Sequence, residues 1–223
     1  MASGLRLLSN LLYPPGSQCL CCGELRLSTR GDCLCPGCRA GLLKSAVGLR
    51  TEGLWLYGIY APFHYEAEAR QLIKRLKYGG IKAAAQPLGL AMAERMSAEG
   101  SFDALVPIPL HKSRLRQRGF NQAEALAVEM AAQCGAPLLH ALLRSRKTRQ
   151  QARLDREKRH SNMENAFTCT ADVAGKRLLL IDDVCTTGAT AESCAHALRL
   201  KGAGEVCLCV AALAELHGWR RAE

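Results

Sequence analysis

From residue 54 onward the apolar positions alternate between two rhythms. LWLYGIYAPF (54–63) interleaves large apolar and small residues, which predicts a strand. HYEAEARQLIKRLKYGG then carries Tyr65, Ala69, Leu72, Ile73 and Leu76 at helical spacing and stops at Gly79 and Gly80, which predicts a helix. A second helix is expected over residues 82–98, with Pro87 in its first turn or at a kink. FDALVPIP reads as a buried strand, and GFNQAEALAVEMAAQCG as a helix ending at Gly135. KRLLLIDD is the next buried strand, TGATAESCAHALRLKGA a helix, and EVCLCVAALA a last strand. Near-continuous apolar strands alternating with helices predict an α/β chain: a mostly parallel sheet with helices on both faces.

Two regions fall outside that rhythm. The N-terminal stretch places Leu5, Leu7, Leu8, Leu11 and Leu12 on one helical stripe. It lacks a basic n-region and an A-x-A site, so a helix packed on its own domain is expected rather than a signal peptide. Residues 144–165 show no apolar period and many charges, which predicts a long mobile loop. The chain therefore divides into an N-terminal helix and small module at 1–50 and a larger domain at 51–223.

The module is defined by cysteines. Six of the 12 crowd into residues 19–38, while Cys134, Cys169, Cys185, Cys194, Cys207 and Cys209 are scattered through apolar surroundings as expected small buried hydrophobes. Cys19-x2-Cys22 and Cys35-x2-Cys38 are two knuckles whose four thiolates can close a tetrahedron, the ligand set of a structural Zn²⁺. Cys21 and Cys33 compete as ligands, but each breaks the paired symmetry. Disulfides are a poor reading without a secretory signal, and the expected location is the cytoplasm, with the inner face of the membrane as the alternative. No apolar run approaches the ~20 residues that span a bilayer.

Charge sharpens the picture. The net +10 falls entirely in two segments, 111–118 and 144–160, and the remaining chain is neutral. That asymmetry favours a polyanionic partner, either phosphates of a small molecule or of nucleic acid. Aromatic residues make up only 5%, so a stacking platform for single strands is poorly furnished.

The chemistry concentrates at residues 178–190, LLLIDDVCTTGAT. An apolar strand ends in Asp182 and Asp183 where ligands of parallel sheets bind, beyond the carboxyl ends of the strands. Thr186 or Thr187 can cap the next helix, Gly188 permits close approach, and amides of residues 185–190 converge at a positive helix end. Such a turn holds a phosphate, and the neighbouring carboxylates accept from the hydroxyls of a sugar that carries it. No Gly-Lys-[Ser/Thr] follows, so it is not a Walker loop.

This stretch resembles the PRPP-binding motif of type I phosphoribosyltransferases. VPIPLHKSRLRQRGFNQ (106–122), LIKRLKYGG (72–80), the spaced set Gln151, Leu154, Arg159, Asn162, Ala166 and Phe167, and the four-cysteine module together resemble the competence protein F (ComF) family across nearly the whole chain. The resemblance implies a type I phosphoribosyltransferase-like fold, PRPP as ligand, and a role in the uptake of transforming DNA, with single-stranded DNA and the uptake machinery as partners. It implies that Asp182 and Asp183 contact the ribose hydroxyls. Cys185, Thr186, Thr187, Gly188, Ala189 and Thr190 would hold the 5-phosphate, and His111, Lys112 and Arg114 would meet the pyrophosphate. Mg²⁺ would bridge pyrophosphate and ribose, mostly through the substrate. Lys112 and Arg114, together with Arg149, Arg153 or Arg159 of a flexible loop that also carries Gln151, would stabilise the leaving group of a phosphoribosyl transfer. Purine-salvage members carry a carboxylate base where this chain has Thr186, so the acceptor is unassigned. The alternatives are a non-catalytic PRPP or nucleotide sensor and a single-stranded-DNA-binding accessory factor.

Overall fold

The computed structural model describes residues 18–25, 33–44, 46–51, 53–144 and 166–214. The leucine-striped stretch at 1–17 and most of the expected loop, 145–165, lie outside the described residues. The elements in chain order are α1 (Pro36–Lys44), β1 (Ala46–Thr51), β2 (Gly58–His64), α2 (Ala67–Tyr78), α3 (Ala85–Met96), β3 (Ala104–Pro107) and α4 (Lys112–Arg118). There follow α5 (Gln122–Cys134), β4 (Leu142–Arg144), β5 (Phe167–Cys169), β6 (Arg177–Cys185), α6 (Ala189–Arg199) and β7 (Glu205–Leu213). Five strands form one sheet in the order β1-β2-β7-β6-β3. The β2–β7, β7–β6 and β6–β3 pairs are parallel, and β1 adds antiparallel at the β2 edge. This is the mostly parallel, helix-covered sheet that the apolar strands predict.

Alternation along β6 feeds two cores. Leu179 and Ile181 pack with Leu72 of α2, Leu88 of α3, and Leu126 and Met130 of α5. Leu178 and Leu180 pack on the other face with Cys194, Ala195 and Leu198 of α6 and with Leu142 and Phe167 of the β4–β5 pair. Central β7 is buried from Val206 to Leu213, as a strand covered on both sides must be. Cys19, Cys21, Leu34 and Leu42 join the first core, so the four-cysteine segment shares its apolar interior with the sheet. The boundary expected at residue 50 falls within β1.

Several local expectations change. The strand expected from residue 54 begins at Gly58, because Leu54 and Trp55 donate their amides to the Glu192 carboxylate at 2.9 and 2.8 Å. The Trp55 ring lies 4.6 Å from that of His196, one turn along the same helix. Residues 112–118, to which the apolar pattern assigns no element, form α4; none of them is buried, so no apolar period betrayed it. His111 accepts from the Ser113 amide at its start, and Arg118 anchors its end by donating to Gln122 at 2.9 Å. Helix α1 and the short β4–β5 pair carried no recognisable pattern. Of the scattered cysteines, Cys134 is exposed at the end of α5; the other five are buried.

Helices α3 and α5 approach closely at Gly89. A Cβ there would lie 2.5 Å from Glu129 Cβ and 3.2 Å from the Leu126 carbonyl. Gly89→Val is therefore expected to destabilise the fold by about 1–3 kcal/mol through overpacking. Urea unfolding checks this, and an unchanged midpoint would contradict the tight crossing.

Candidate functional site

β3 ends its pairing at Pro107, opposite Ile181, while β6 continues beside β7 to Cys185. Past Ile181 only β7 pairs with β6 among the described strands. The chain leaving β3 stays at that edge: the Ile108 amide donates to the Ile181 carbonyl at 3.0 Å. Asn121, which caps α5, donates to the Ile108 carbonyl at 3.0 Å and fixes the far end of the loop. Strand register thus brings His111, Lys112 and Arg114 to the same carboxyl edge as Asp182 and Asp183.

The two aspartates diverge. Consecutive residues of a strand point to opposite faces. Asp183 continues the row of Leu179 and Ile181 and meets α2, where Lys77 Nζ lies 2.6 Å from its Oδ1. Asp183 is 7% exposed and Lys77 half-buried, so losing the lysine would leave a buried carboxylate without its ion partner. Asp182 continues the row of Leu178 and Leu180, towards α6 and β4. Its Oδ1 accepts the Asp183 amide at 2.8 Å. Burial, reinforced by the charge of Asp183, pushes the Asp182 carboxyl up to about 7, although the Asp183 amide, Lys77 and Arg144 pull the other way. Arg144 ends β4 with its guanidinium 5.2 Å from the Phe167 ring. Burial and the nearby Arg114 lower its pKa, while Asp182 counteracts them. Asp182 and Arg114 therefore both lie near enough to Arg144 for their charges to act on it.

After Cys185 the chain turns through Thr186 and Thr187, both exposed, to Gly188 at φ 72°. That left-handed conformation suits glycine. The helix cap is Gly188 itself, without a side-chain cap bond, so the expected threonine cap does not form. Ala189 and Thr190 open α6, whose first turn faces this bend. Burial, then the Asp182 charge, push the Cys185 thiol up to about 12, so it stays protonated and is a poor nucleophile.

His111 is turned inward on its own helix, with Nδ1 2.7 Å from Ser113 Oγ, whereas Lys112 and Arg114 are exposed. Arg149, Gln151, Arg153 and Arg159 lie outside the described residues, though the ends of their segment are set by the pairing of Arg144 with Phe167. Lys77 and Arg144 were missed by sequence reasoning. Lys77 follows the buried Ile73 by one helical turn, a placement that could have marked it; Arg144 sits in a strand too short to recognise.

The other cluster lies by the first half of α2. The sulfurs of Cys19, Cys22, Cys35 and Cys38 all lie within 4.8 Å of one another, and Cys22 and Cys35 are 3.9 Å apart. A tetrahedral thiolate set has edges of about this size, given metal–sulfur bonds of about 2.3 Å, so the residues fit a metal ion. Burial alone would raise the Cys19 thiol, but amides of Cys35, Cys22 and Cys21 hold it down at about 6, poised as a thiolate. Cys21 lies beside this set, near Cys38, and also faces α2, its sulfur 3.9 Å from the Glu68 carbonyl and 3.7 Å from Gln71 Oε1. Cys33 contacts the Gln86 side chain.

Residues 89–222 match the phosphoribosyl transferase domain family. The chain is 32% identical to DNA utilization protein YhgH of Salmonella typhi, over 89% of this chain and 99% of that protein. It is 31% identical to competence protein F of Haemophilus influenzae, covering 64% and 67% respectively. The chain belongs to the competence protein F family. A further member, competence protein ComFC of Streptococcus pneumoniae, is 28% identical over 92% of this chain and 93% of its own. Among solved structures, the allosteric regulatory enzyme of purine biosynthesis is similar at a TM-score of 0.41 and 23% identity, covering 57% of this chain and 25% of that one. For this family member no described helix is long and apolar enough to cross a membrane.

The raised Asp182 carboxyl predicts a pH dependence. The folded state binds its proton near pH 7, whereas the unfolded chain does so near 3.8. Between these values the native state holds more protons, so this group makes the protein more stable as pH falls from about 7 towards 4. Asp182→Asn is expected to flatten that trend and to raise stability at pH 8. Urea unfolding at pH 5 and pH 8 tests both, and an unchanged difference between the two pH values would contradict the assignment.

Proposed function

We propose that this chain binds PRPP with Mg²⁺ at the carboxyl edge of β6 and serves DNA utilisation as a phosphoribosyltransferase-like protein. The observation that carries this reading is the placement of Asp182 and Asp183 beside the Gly188 bend and the amino end of α6, inside the segment that matches the phosphoribosyl transferase domain. Oxygens of the two carboxylates would accept from the ribose hydroxyls. Amides from Cys185 to Thr190 would hold the 5-phosphate, where the helix end favours negative charge. Mg²⁺ would be carried mostly by the substrate's oxygens and would offset their charge. Lys112 and Arg114, both exposed, would attract the diphosphate and stabilise it as it departs.

Whether the bound sugar is transferred depends on an acceptor. Thr186 stands exposed where purine-salvage members carry a carboxylate, and this favours a second reading, a sensor that binds PRPP without transferring it. Pyrophosphate release in the presence of candidate acceptors separates the two. The names of the relatives connect those proteins with competence and DNA utilisation. On that basis single-stranded DNA and the uptake machinery are proposed as partners. The metal proposed for Cys19, Cys22, Cys35 and Cys38 is structural Zn²⁺, because four sulfur ligands leave no open position.

PRPP with Mg²⁺ should bind, and Asp183→Asn or Thr187→Val should weaken it. Losing a hydrogen bond to such a ligand costs about 1–3 kcal/mol, or about 5- to 150-fold in affinity. Calorimetry that returns wild-type affinity for both variants would count decisively against the site. Purified protein should also contain one zinc per chain, lost on combining Cys22→Ser with Cys38→Ser. Elemental analysis decides this, and zinc retained by the double variant would point to other ligands.

A further inference from the structure

Lys77 belongs to a helix that the phosphosugar reading does not use. It is carried to the strand edge by the packing of α2. Ala69, Leu72, Ile73 and Leu76 bury that helix against the sheet, and the next residue extends its ammonium to Asp183 Oδ1 at 2.6 Å. The Lys77 side chain keeps 18% exposure, so it is neither a free surface lysine nor sealed inside. An ammonium has three donors, and Asp183 occupies one.

Direction gives this pair its meaning. By strand alternation Asp182 follows Leu178 and Leu180 towards α6, whereas Asp183 follows Leu179 and Ile181 towards α2, where Lys77 meets it. The bend into α6, proposed for the 5-phosphate, therefore belongs to the face opposite Lys77. PRPP carries its 5-phosphate and its C1 diphosphate at opposite ends of the ribose, with the 2- and 3-hydroxyls between them. A ribose whose hydroxyls meet the aspartates and whose 5-phosphate meets α6 directs its diphosphate towards the Lys77 side. Two adjacent carboxylates would also repel so anionic a ligand, and a cation fixed on one of them removes part of that cost.

We propose that Lys77 is a ligand-binding residue, an ammonium that bridges Asp183 to the anionic oxygens of the C1 diphosphate. This rests on the PRPP reading above and adds to it a contact supplied by α2. A purely structural ion pair would also be damaged by mutation, so the test removes the ion pair first. In an Asp183→Asn background the direct ion pair is gone, and only the longer-range effect of Lys77 on Asp182 remains. Lys77→Met is added to that background, and inorganic pyrophosphate with Mg²⁺ and ribose 5-phosphate are each titrated by calorimetry, with thermal unfolding as a check on folding.

The expected result is a loss of about 10-fold or more in pyrophosphate affinity from Lys77→Met in the Asp183→Asn background, with ribose 5-phosphate affinity changed less than twofold. Lys77→Met alone should lower the melting temperature, and the double variant should recover part of that loss. Equal pyrophosphate affinity with and without Lys77 in the Asp183→Asn background would overturn the proposal while leaving the PRPP site intact. Equal weakening of both ligands would also overturn it, since that is the mark of general disruption. If wild-type protein binds neither PRPP nor pyrophosphate, the PRPP reading itself falls, and this contact with it.

Discussion

The burial of β6 between two helical layers is the constraint on which the remaining architecture depends. A strand covered on both faces must supply apolar side chains to each, and Leu178 to Ile181 do so alternately. The same alternation carries through the two acids that follow. Asp182 is thus delivered to the α6 face and Asp183 to the α2 face, each into surroundings built by different parts of the chain. Their adjacency in sequence becomes separation in environment. One carboxyl is raised by burial, and the other is held by a lysine.

Helix α2 connects the two unusual centres of the molecule. Glu68 and Gln71, in its first half, meet Cys21 beside the four-cysteine cluster, and Lys77 near its end meets Asp183. The apolar stripe between them is shared by the sheet and by the cysteine segment. A segment of so few residues has little interior of its own, which is why metal ligation and docking on α2 both suit it. The edge beyond β3 has the complementary character. It is lined by α4, which buries none of its residues and presents Lys112, Arg114 and Arg116 to solvent. A buried strand end and an exposed cationic rim would suit the charged sugar proposed as ligand: the former orients, the latter attracts.

Sequence by itself determined the parts governed by local period and spacing. The long strands β6 and β7, helices α2, α3, α5 and α6, the acid pair and the cysteine knuckles were legible because an apolar face or a ligand spacing is written in consecutive residues. The comparisons with relatives agree with the family that those motifs resemble. Only the tertiary structure decided what depends on residues distant in the chain. Helix α4 buries nothing and so has no period, and β4 and β5 are three residues each, paired across a long interval. Gly188 rather than a threonine caps α6, because the exit from β6 sets the backbone before any side chain can cap it. Lys77, one turn beyond Ile73, reads as one more charge on an amphipathic helix until packing places it on Asp183, since an ion pair across 106 residues is fixed by strand register and helix docking.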